Sequence, residues 1–317
     1  MHKIVFLDAA TLAEGVTLPR RDFPHQWTNY PATAPDEFAA RAAEAEIVVT
    51  NKVRIGAAEI AALPGLRLIA IAATGYDHVD IDAARAAGIA VTNIRAYSVD
   101  SVPEHTFALI LALQRQILPY VEDVRAGQWQ ACGQFAFHTH SIRDLHGKRL
   151  GLFGSGGLGQ KVAALATAFG METVFAGRKG EKARPGTLDF DEVLATSDIL
   201  SLHCPLNAAT ENMIGWAEFS ALRRKPLLIN TARGGLVDEE ALERALDAGL
   251  VAGAGLDVTR PEPPPADSAI MRLARRPNVL VTPHVAWASL ESQQTLADQL
   301  GAVLAAFVKG ERMNRLD

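Results

Sequence analysis

The sequence predicts an α/β protein with two doubly wound parallel sheets, and three observations predict it. Short apolar runs alternate with helix-length amphipathic segments along nearly the whole chain, which is the pattern of parallel strands joined by crossover helices. The strand rhythm runs through the first hundred residues, pauses, and restarts at Lys148, so the 317 residues divide into two cores. A glycine-rich turn, from Gly154 to Gly159, stands directly after the restarting strand and before an apolar helix over 162–169.

Taken in order, the first strand covers residues 3–7 and is closed by Asp8. So short an apolar run is neither a signal-peptide core nor a membrane span, and no later run is long enough to cross a bilayer. Further strands are expected over 46–50, 67–71 and 89–92, with alanine-rich helices between them. A longer apolar helix over 101–120 follows, with Pro103 accommodated in its first turn. Residues 127–144 lack periodicity and read as a surface loop carrying Trp129, His138 and His140. Without further spaced His or Cys neighbours, the two histidines read as loop surface and not as metal ligands.

From Lys148 six strands are expected, over 149–153, 173–176, 198–203, 227–231, 251–258 and 278–282, the strand count of the six-stranded dinucleotide fold. The helix after Asp238 is signalled by three consecutive acids, Asp238, Glu239 and Glu240, placed at the positive end of its dipole. Residues 261–265 form a stiff proline loop containing Glu262, and 290–308 a final amphipathic helix.

Charged residues make up 21% of the chain, mixed in sign, with a formal net charge of -5, so no basic face is offered to nucleic acid. The only cysteines, Cys132 and Cys204, are not spaced as a disulfide framework or a metal clip, which suits a reducing cytosol. A soluble cytoplasmic protein is expected, with no membrane partner, no nucleic-acid partner and no metal.

In the run Gly154-Ser155-Gly156-Gly157-Leu158-Gly159, a GxGxxG pattern has a distinct task for each glycine. Gly154 permits the tight turn, Gly156 lets the backbone approach a pyrophosphate, and Gly159 lets helix and strand pack closely, while the free amides of the helix start face the phosphates. The alternative is a glycine-rich loop that only turns the chain. The next strand should end in an acid about 20 positions on, bonded to the adenosine ribose. It ends instead Gly177-Arg178-Lys179. A carboxylate would repel a ribose 2'-phosphate, whereas Arg178 could clamp one, so NADP(H) is expected ahead of NAD(H). The alternative is a solvated, charged strand end.

Three positions supply what hydride transfer to a 2-oxo acid needs. Arg233 follows the strand over 227–231 on a sharp turn at a carboxyl end of the sheet, where a guanidinium can grip a substrate carboxylate bidentately. His284 follows the strand over 278–282, and imidazole is the side chain best able to give and recover a proton near neutral pH. Glu262, in reach of His284, would favour the imidazolium. Singly, Arg233 reads as a surface ion pair, Glu262 as a solvated loop acid and His284 as a satisfied buried histidine. Their joint placement favours the chemical reading.

Several stretches together resemble the D-isomer-specific 2-hydroxyacid dehydrogenases over nearly the whole chain. They are Ala73-Thr74-Gly75-Tyr76-Asp77-His78-Val79-Asp80, the glycine turn, Leu202-His203-Cys204-Pro205-Leu206, Ile229-Asn230-Thr231-Ala232-Arg233-Gly234-Gly235, Gly255-Leu256-Asp257-Val258, Glu262-Pro263 and Thr282-Pro283-His284-Val285-Ala286-Trp287. Asn51-Lys52-Val53, Trp287 and the Arg178-Lys179 pair are most similar to the glyoxylate and hydroxypyruvate reductase (glycerate dehydrogenase) branch. The resemblance implies a flavodoxin-like substrate domain from residues 1–100 and 287–317, an inserted Rossmann dinucleotide-binding domain over 101–286, and a homodimer. It implies that Arg233 binds and polarises the substrate, that His284 is the acid/base and that Glu262 is its partner. Backbone groups around Thr74 and Gly75 would hold the substrate carboxylate, with Lys52, Val53 and Trp287 as further substrate contacts. Asp257 would face the nicotinamide carboxamide. Beyond the glycine turn, the cofactor would be met by Gly177, Arg178, Lys179, His203, Cys204, Pro205, Thr210, Thr231, Ala232, Arg233, His284 and Ala286. Cys204, beside Pro205, reads as a small buried residue and not a nucleophile.

Two positions depart from the family pattern. Gly157 stands where many relatives carry a larger or charged residue, and Gly177 replaces the usual acid. The expected reaction is NADPH-dependent reduction of small 2-oxo acids, glyoxylate and hydroxypyruvate first. Two rivals remain at this point: a dehydrogenase for a bulkier D-2-hydroxy acid using NAD, and a non-catalytic nicotinamide-sensing protein of the same fold.

Overall fold

Runs such as Ile47-Val48-Val49-Thr50 and Leu68-Ile69-Ala70-Ile71 are fully buried and rich in β-branched residues, as strands covered on both faces must be. The computed structural model describes residues 1–19 and 22–317. It separates into two compact units, Met1–Ser98 with Ala288–Asp317, and Val99–Trp287.

The first unit holds β1 (His2–Phe6), β2 (His25–Asn29), β3 (Ile47–Thr50), β4 (Leu68–Ile71) and β5 (Ala90–Thr92). They are all parallel, in the order β2-β1-β3-β4-β5, with Ile4 opposite Ile47 and Ile47 opposite Leu68. This is the flavodoxin order, whose topological switch lies between β1 and β3. β2 was not among the expected strands. Its sequence, His-Gln-Trp-Thr-Asn, has no buried residue, because it pairs on one side only, at the sheet edge. The helix Leu290–Val308 packs against β4 through a face that includes Leu296, Leu300 and Leu304. Its Gly301 allows a close approach: a Cβ there would stand 2.4 Å from Pro19 Cγ.

The second unit holds β6 (Arg149–Phe153), β7 (Glu172–Phe175), β8 (Ile199–Leu202), β9 (Leu227–Asn230), β10 (Gly253–Leu256) and β11 (Val279–Val281). The sheet runs β11-β10-β9-β8-β6-β7, again parallel throughout. A lone parallel bridge from Ala176 to Leu188 adds one residue beyond β7. Counting Leu188 as a third strand reduced to a single residue, the order becomes 3-2-1-4-5-6, the Rossmann order, with β11 as an extra seventh strand. The sequence pattern over 183–188 is too short and polar to announce that strand.

Two expectations need correction. The apolar helix expected over 101–120 is two helices, Ser101–Gln114 and Ile117–Arg125, broken where Gln116 adopts a left-handed φ of +54°. The Gln116 side chain donates to the Leu113 carbonyl at 2.7 Å, giving a freed helix-end carbonyl a partner. Pro103 is indeed in the first turn. The expected loop 127–144 contains a short helix, Gln128–Cys132. Among the described residues no helix is long and apolar enough to cross a membrane.

Candidate active site

Each strand of the second unit ends in a candidate residue, because the carboxyl ends of a parallel sheet carry its ligand-facing loops. At the end of β6, Gly154 has φ +122°, and a Cβ there would lie 2.5 Å from the His203 carbonyl oxygen. Only glycine lets β6 turn against the loop that leaves β8. At Gly159 a Cβ would come within 2.0 Å of the Gly154 carbonyl oxygen, closing helix onto strand. Gly156 and Gly157 differ: nothing among the described residues lies within 4 Å of a Cβ built on either. Gly156 is also the N-cap of the helix Gly157–Ala168, with no side-chain cap. The twelve-residue helix therefore opens without a side-chain cap, beside two glycines with clear space over them, and this cradle fits a dinucleotide pyrophosphate.

Past β7, the Gly177 amide donates to the Leu188 carbonyl at 2.7 Å. Its neighbours have different surroundings. Lys179 is tied to the Glu218 carboxylate at 2.7 Å and to the Met213 carbonyl at 3.1 Å. The Arg178 guanidinium is largely exposed, with Glu181 3.6 Å away.

At the end of β8, His203 Nε2 meets Ser201 Oγ at 2.8 Å, while its Nδ1 is buried with no partner among the described residues. Burial pushes this imidazole down to about 4, so it is neutral. Burial pushes the Cys204 thiol up to about 11, and its Sγ lies 3.5 Å from Met213 Sδ, so at neutral pH it is a protonated, packed thiol. The Thr210 hydroxyl donates to the Pro205 carbonyl at 2.7 Å and accepts from the Asn207 amide at 2.8 Å, closing the loop after Pro205.

At the end of β9, buried Asn230 shapes the turn that presents Arg233. Its Nδ2 donates to the Arg233 carbonyl at 2.8 Å and its Oδ1 accepts from the Ala232 amide at 3.1 Å. Arg233 Nη1 donates to the Ala232 carbonyl at 2.7 Å. Thr231 is buried, its hydroxyl 3.0 Å from that of Thr106. The following Gly234 has no room for a side chain: a Cβ would stand 2.1 Å from the Thr259 carbonyl carbon.

Beyond β10 and β11, the buried Asp257 carboxylate accepts from Thr282 Oγ1 at 2.5 Å, the Val285 amide at 2.9 Å and the Ala286 amide at 2.8 Å. These bonds make the Asp257 carboxylate the anchor of the 282–286 loop. The Asp257 carbonyl accepts from the His284 amide at 2.7 Å, and His284 sits at φ +56°, a conformation few non-glycine residues adopt. His284 Nδ1 is 2.7 Å from Glu262 Oε2, and Glu262 Oε1 accepts from the Thr259 amide at 3.2 Å. Trp287, the last residue of this unit, is half-buried, and Ala286 is buried.

In the first unit, Lys52 and Val53 follow β3, and Thr74 and Gly75 follow β4. The buried Asp8 carboxylate accepts from the amides of Asn51 at 2.8 Å, Lys52 at 2.6 Å and Val53 at 3.2 Å. Burial pushes the Asp8 carboxyl up, against the pull of those amides. Asn93 Nδ2 donates to the Thr74 carbonyl at 2.8 Å. His140, once weighed as a ligand, has its Nε2 2.9 Å from Asp123, and among the described residues no three His, Cys, Asp or Glu side chains form a metal set.

Asp8, Asn230, Asp257 in its anchoring role, and Thr259 were not singled out as supports of the site. Only Asn230 carried a signal, since it precedes the Thr231-Ala232-Arg233-Gly234 turn and an Asn side chain can bond its own turn two residues on.

Residues 107–286 match the model of the D-isomer specific 2-hydroxyacid dehydrogenase NAD binding domain. A glycerate dehydrogenase of Methylorubrum extorquens is 45% identical, over 98% of this chain and 98% of its own. Two solved structures superpose on nearly the whole chain. A glyoxylate reductase from Paecilomyes thermophila has a TM-score of 0.83 at 28% identity, over 99% of this chain and 98% of that one. An acyclic imino acid reductase in complex with NADPH and D-Arg has a TM-score of 0.85 at 28% identity, over 99% and 100%. The strand-end constellation, the cradle for a dinucleotide and these matches agree: the chain belongs to the D-isomer specific 2-hydroxyacid dehydrogenase family, as an oxidoreductase with a nicotinamide-binding domain.

Proposed function

We propose that this enzyme reduces small 2-oxo acids, glyoxylate and hydroxypyruvate foremost, to 2-hydroxy acids, and prefers NADPH to NADH. The observation that carries the reading is the 2.7 Å contact between His284 Nδ1 and Glu262, on a loop packed against the turn of Arg233. A nicotinamide held by this unit would supply the hydride for the keto carbon. Glu262 takes Nδ1, leaving Nε2 to protonate the keto oxygen. Arg233 grips the substrate carboxylate. Gly156 and Gly157 would admit the pyrophosphate, and Arg178 would bind the 2'-phosphate where an acid would repel it. The names of the glycerate dehydrogenase and glyoxylate reductase relatives support the substrate class, and the NADPH complex of the imino acid reductase supports the cofactor. We further propose that the protein is a cytoplasmic homodimer.

The test is a panel of 2-oxo acids assayed with NADPH and NADH side by side. Glyoxylate and hydroxypyruvate should be the best substrates, and a large NADH preference would remove the cofactor claim. His284→Ala should lower kcat about a thousandfold while NADPH still binds. Turnover near wild type would show that the assigned role is wrong.

A further inference from the structure

We propose that Thr259 and Glu239 are positioning residues that hold Glu262 against His284 and join that pair to the loop of Arg233. The inference rests on the catalytic reading above.

Glu262 is exposed, so the geometry of its pair with His284 is not held by burial and needs bonds. One carboxylate oxygen meets His284 Nδ1 at 2.7 Å, and the other accepts the Thr259 amide at 3.2 Å. With both oxygens bonded, the carboxylate cannot rotate without losing a partner. The Thr259 amide thus helps hold the orientation that Glu262 presents to the histidine.

Thr259 is in turn held from two sides. Its hydroxyl donates to Glu239 Oε1 at 2.6 Å, a short bond to a charged acceptor. Glu239 opens the helix Glu239–Asp247, whose start is fixed by the Asp238 side chain accepting from the Ala241 amide at 3.0 Å. The nearby backbone of Arg260 and Ile270 also favours the charged form of Glu239. Burial pushes that carboxyl up, and the Thr259 hydroxyl opposes the push. On its other side the Thr259 backbone lies under Gly234, with no space for even a Cβ between them. A displacement of Thr259 therefore reaches Glu262 through one bond and the residue next to Arg233 through contact. The proposed hydride transfer makes no direct use of Glu239 or the Thr259 hydroxyl; their arrangement is explained by what they hold in place.

Thr259→Val keeps the shape and the amide and removes only the hydroxyl donor. In the holoenzyme with NADPH and glyoxylate, kcat should fall about tenfold and its solvent isotope effect should rise, as proton transfer becomes slower. The Kd for NADPH should not change, and Thr259→Ser should return kcat to within about twofold of wild type. Wild-type kcat in Thr259→Val, equal losses in the Val and Ser variants, or a loss confined to melting temperature or NADPH affinity would each overturn the proposal. Should Thr259→Val fail to fold, Glu239→Gln carries the test, with severalfold lower kcat at unchanged NADPH affinity expected and unchanged kcat overturning it. His284→Ala run in parallel separates the two readings. If it keeps turnover, the catalytic assignment itself fails; if it is inactive beside an unimpaired Thr259→Val, only the positioning claim fails.

Discussion

Arg178 and Lys179 are adjacent cations in the sequence, and adjacency alone gives them one role. Their side chains have two. Lys179 is spent on Glu218 and the Met213 carbonyl, while Arg178 keeps an exposed guanidinium with only a 3.6 Å approach to Glu181. Cofactor choice should therefore rest on Arg178. A charge-assisted contact to a phosphate contributes about 2 kcal/mol, or roughly 30-fold in binding. Arg178→Asp should raise the KM for NADPH by about that factor and leave or improve the KM for NADH. Lys179→Ala should lower the melting temperature with little change in the NADPH to NADH ratio. Steady-state kinetics with both cofactors checks this, and a ratio that moves with Lys179 and not with Arg178 would refute it. The same limit of legibility applies at Asp257 and Thr259. Residue type and strand-end position are visible in a sequence, but the direction of a side chain at a loop is settled by neighbours distant in the chain.

At the scale of elements, the strands buried on both faces were legible because continuous apolar runs have few other uses: β3, β4, β8 and β9 all lie inside the expected segments. What escaped has a physical reason in each case. β2 is a polar edge strand, Leu188 is a strand of one residue, and the left-handed break at Gln116 carries no glycine to announce it. The end of β8 carries a pH consequence that only the structure reveals. His203 falls to about 4 when folded from an ordinary 6.5. Above pH 6.5 the ring is neutral in both states and contributes no pH dependence. Between pH 6.5 and 4 the unfolded chain takes a proton that the folded one refuses, so stability falls as pH falls, by on the order of 3 kcal/mol across the window. Denaturant unfolding at pH 7, 6 and 5 should show this slope in the wild type and a flatter one in His203→Asn. Parallel curves for the two proteins would refute the assignment. Asp317, held down to about 2 by Arg315, loses its contribution only below that window and does not mimic the effect.

For the whole molecule, the distribution of exposed apolar side chains bears on assembly. Of the twelve large ones among the described residues, six lie between positions 117 and 142: Ile117, Leu118, Val124, Trp129, Phe135 and Ile142. Phe135 is 94% exposed. The segment that carries them is held in shape. The Tyr120 hydroxyl donates to the His140 carbonyl at 2.8 Å, Asp123 takes both Thr139 and His140, and the Trp129 indole donates to the Gln134 and Phe135 carbonyls at 3.2 Å. Side chains presented on a fixed frame, and left in water, are how an interface looks without its partner, since burying one Phe contributes about 2 kcal/mol. The homodimer proposed above should therefore close through this segment, which a two-fold axis would bring against its own copy. Light scattering should give a mass twice the 33.9 kDa of the chain. Phe135→Glu should weaken the dimer by about a hundredfold in Kd, because aromatic anchors dominate such contacts and a charge in their place must be desolvated. A wild-type protein that stays monomeric at micromolar concentration would remove the dimer, and a dimer indifferent to Phe135→Glu and Trp129→Glu would place its interface elsewhere.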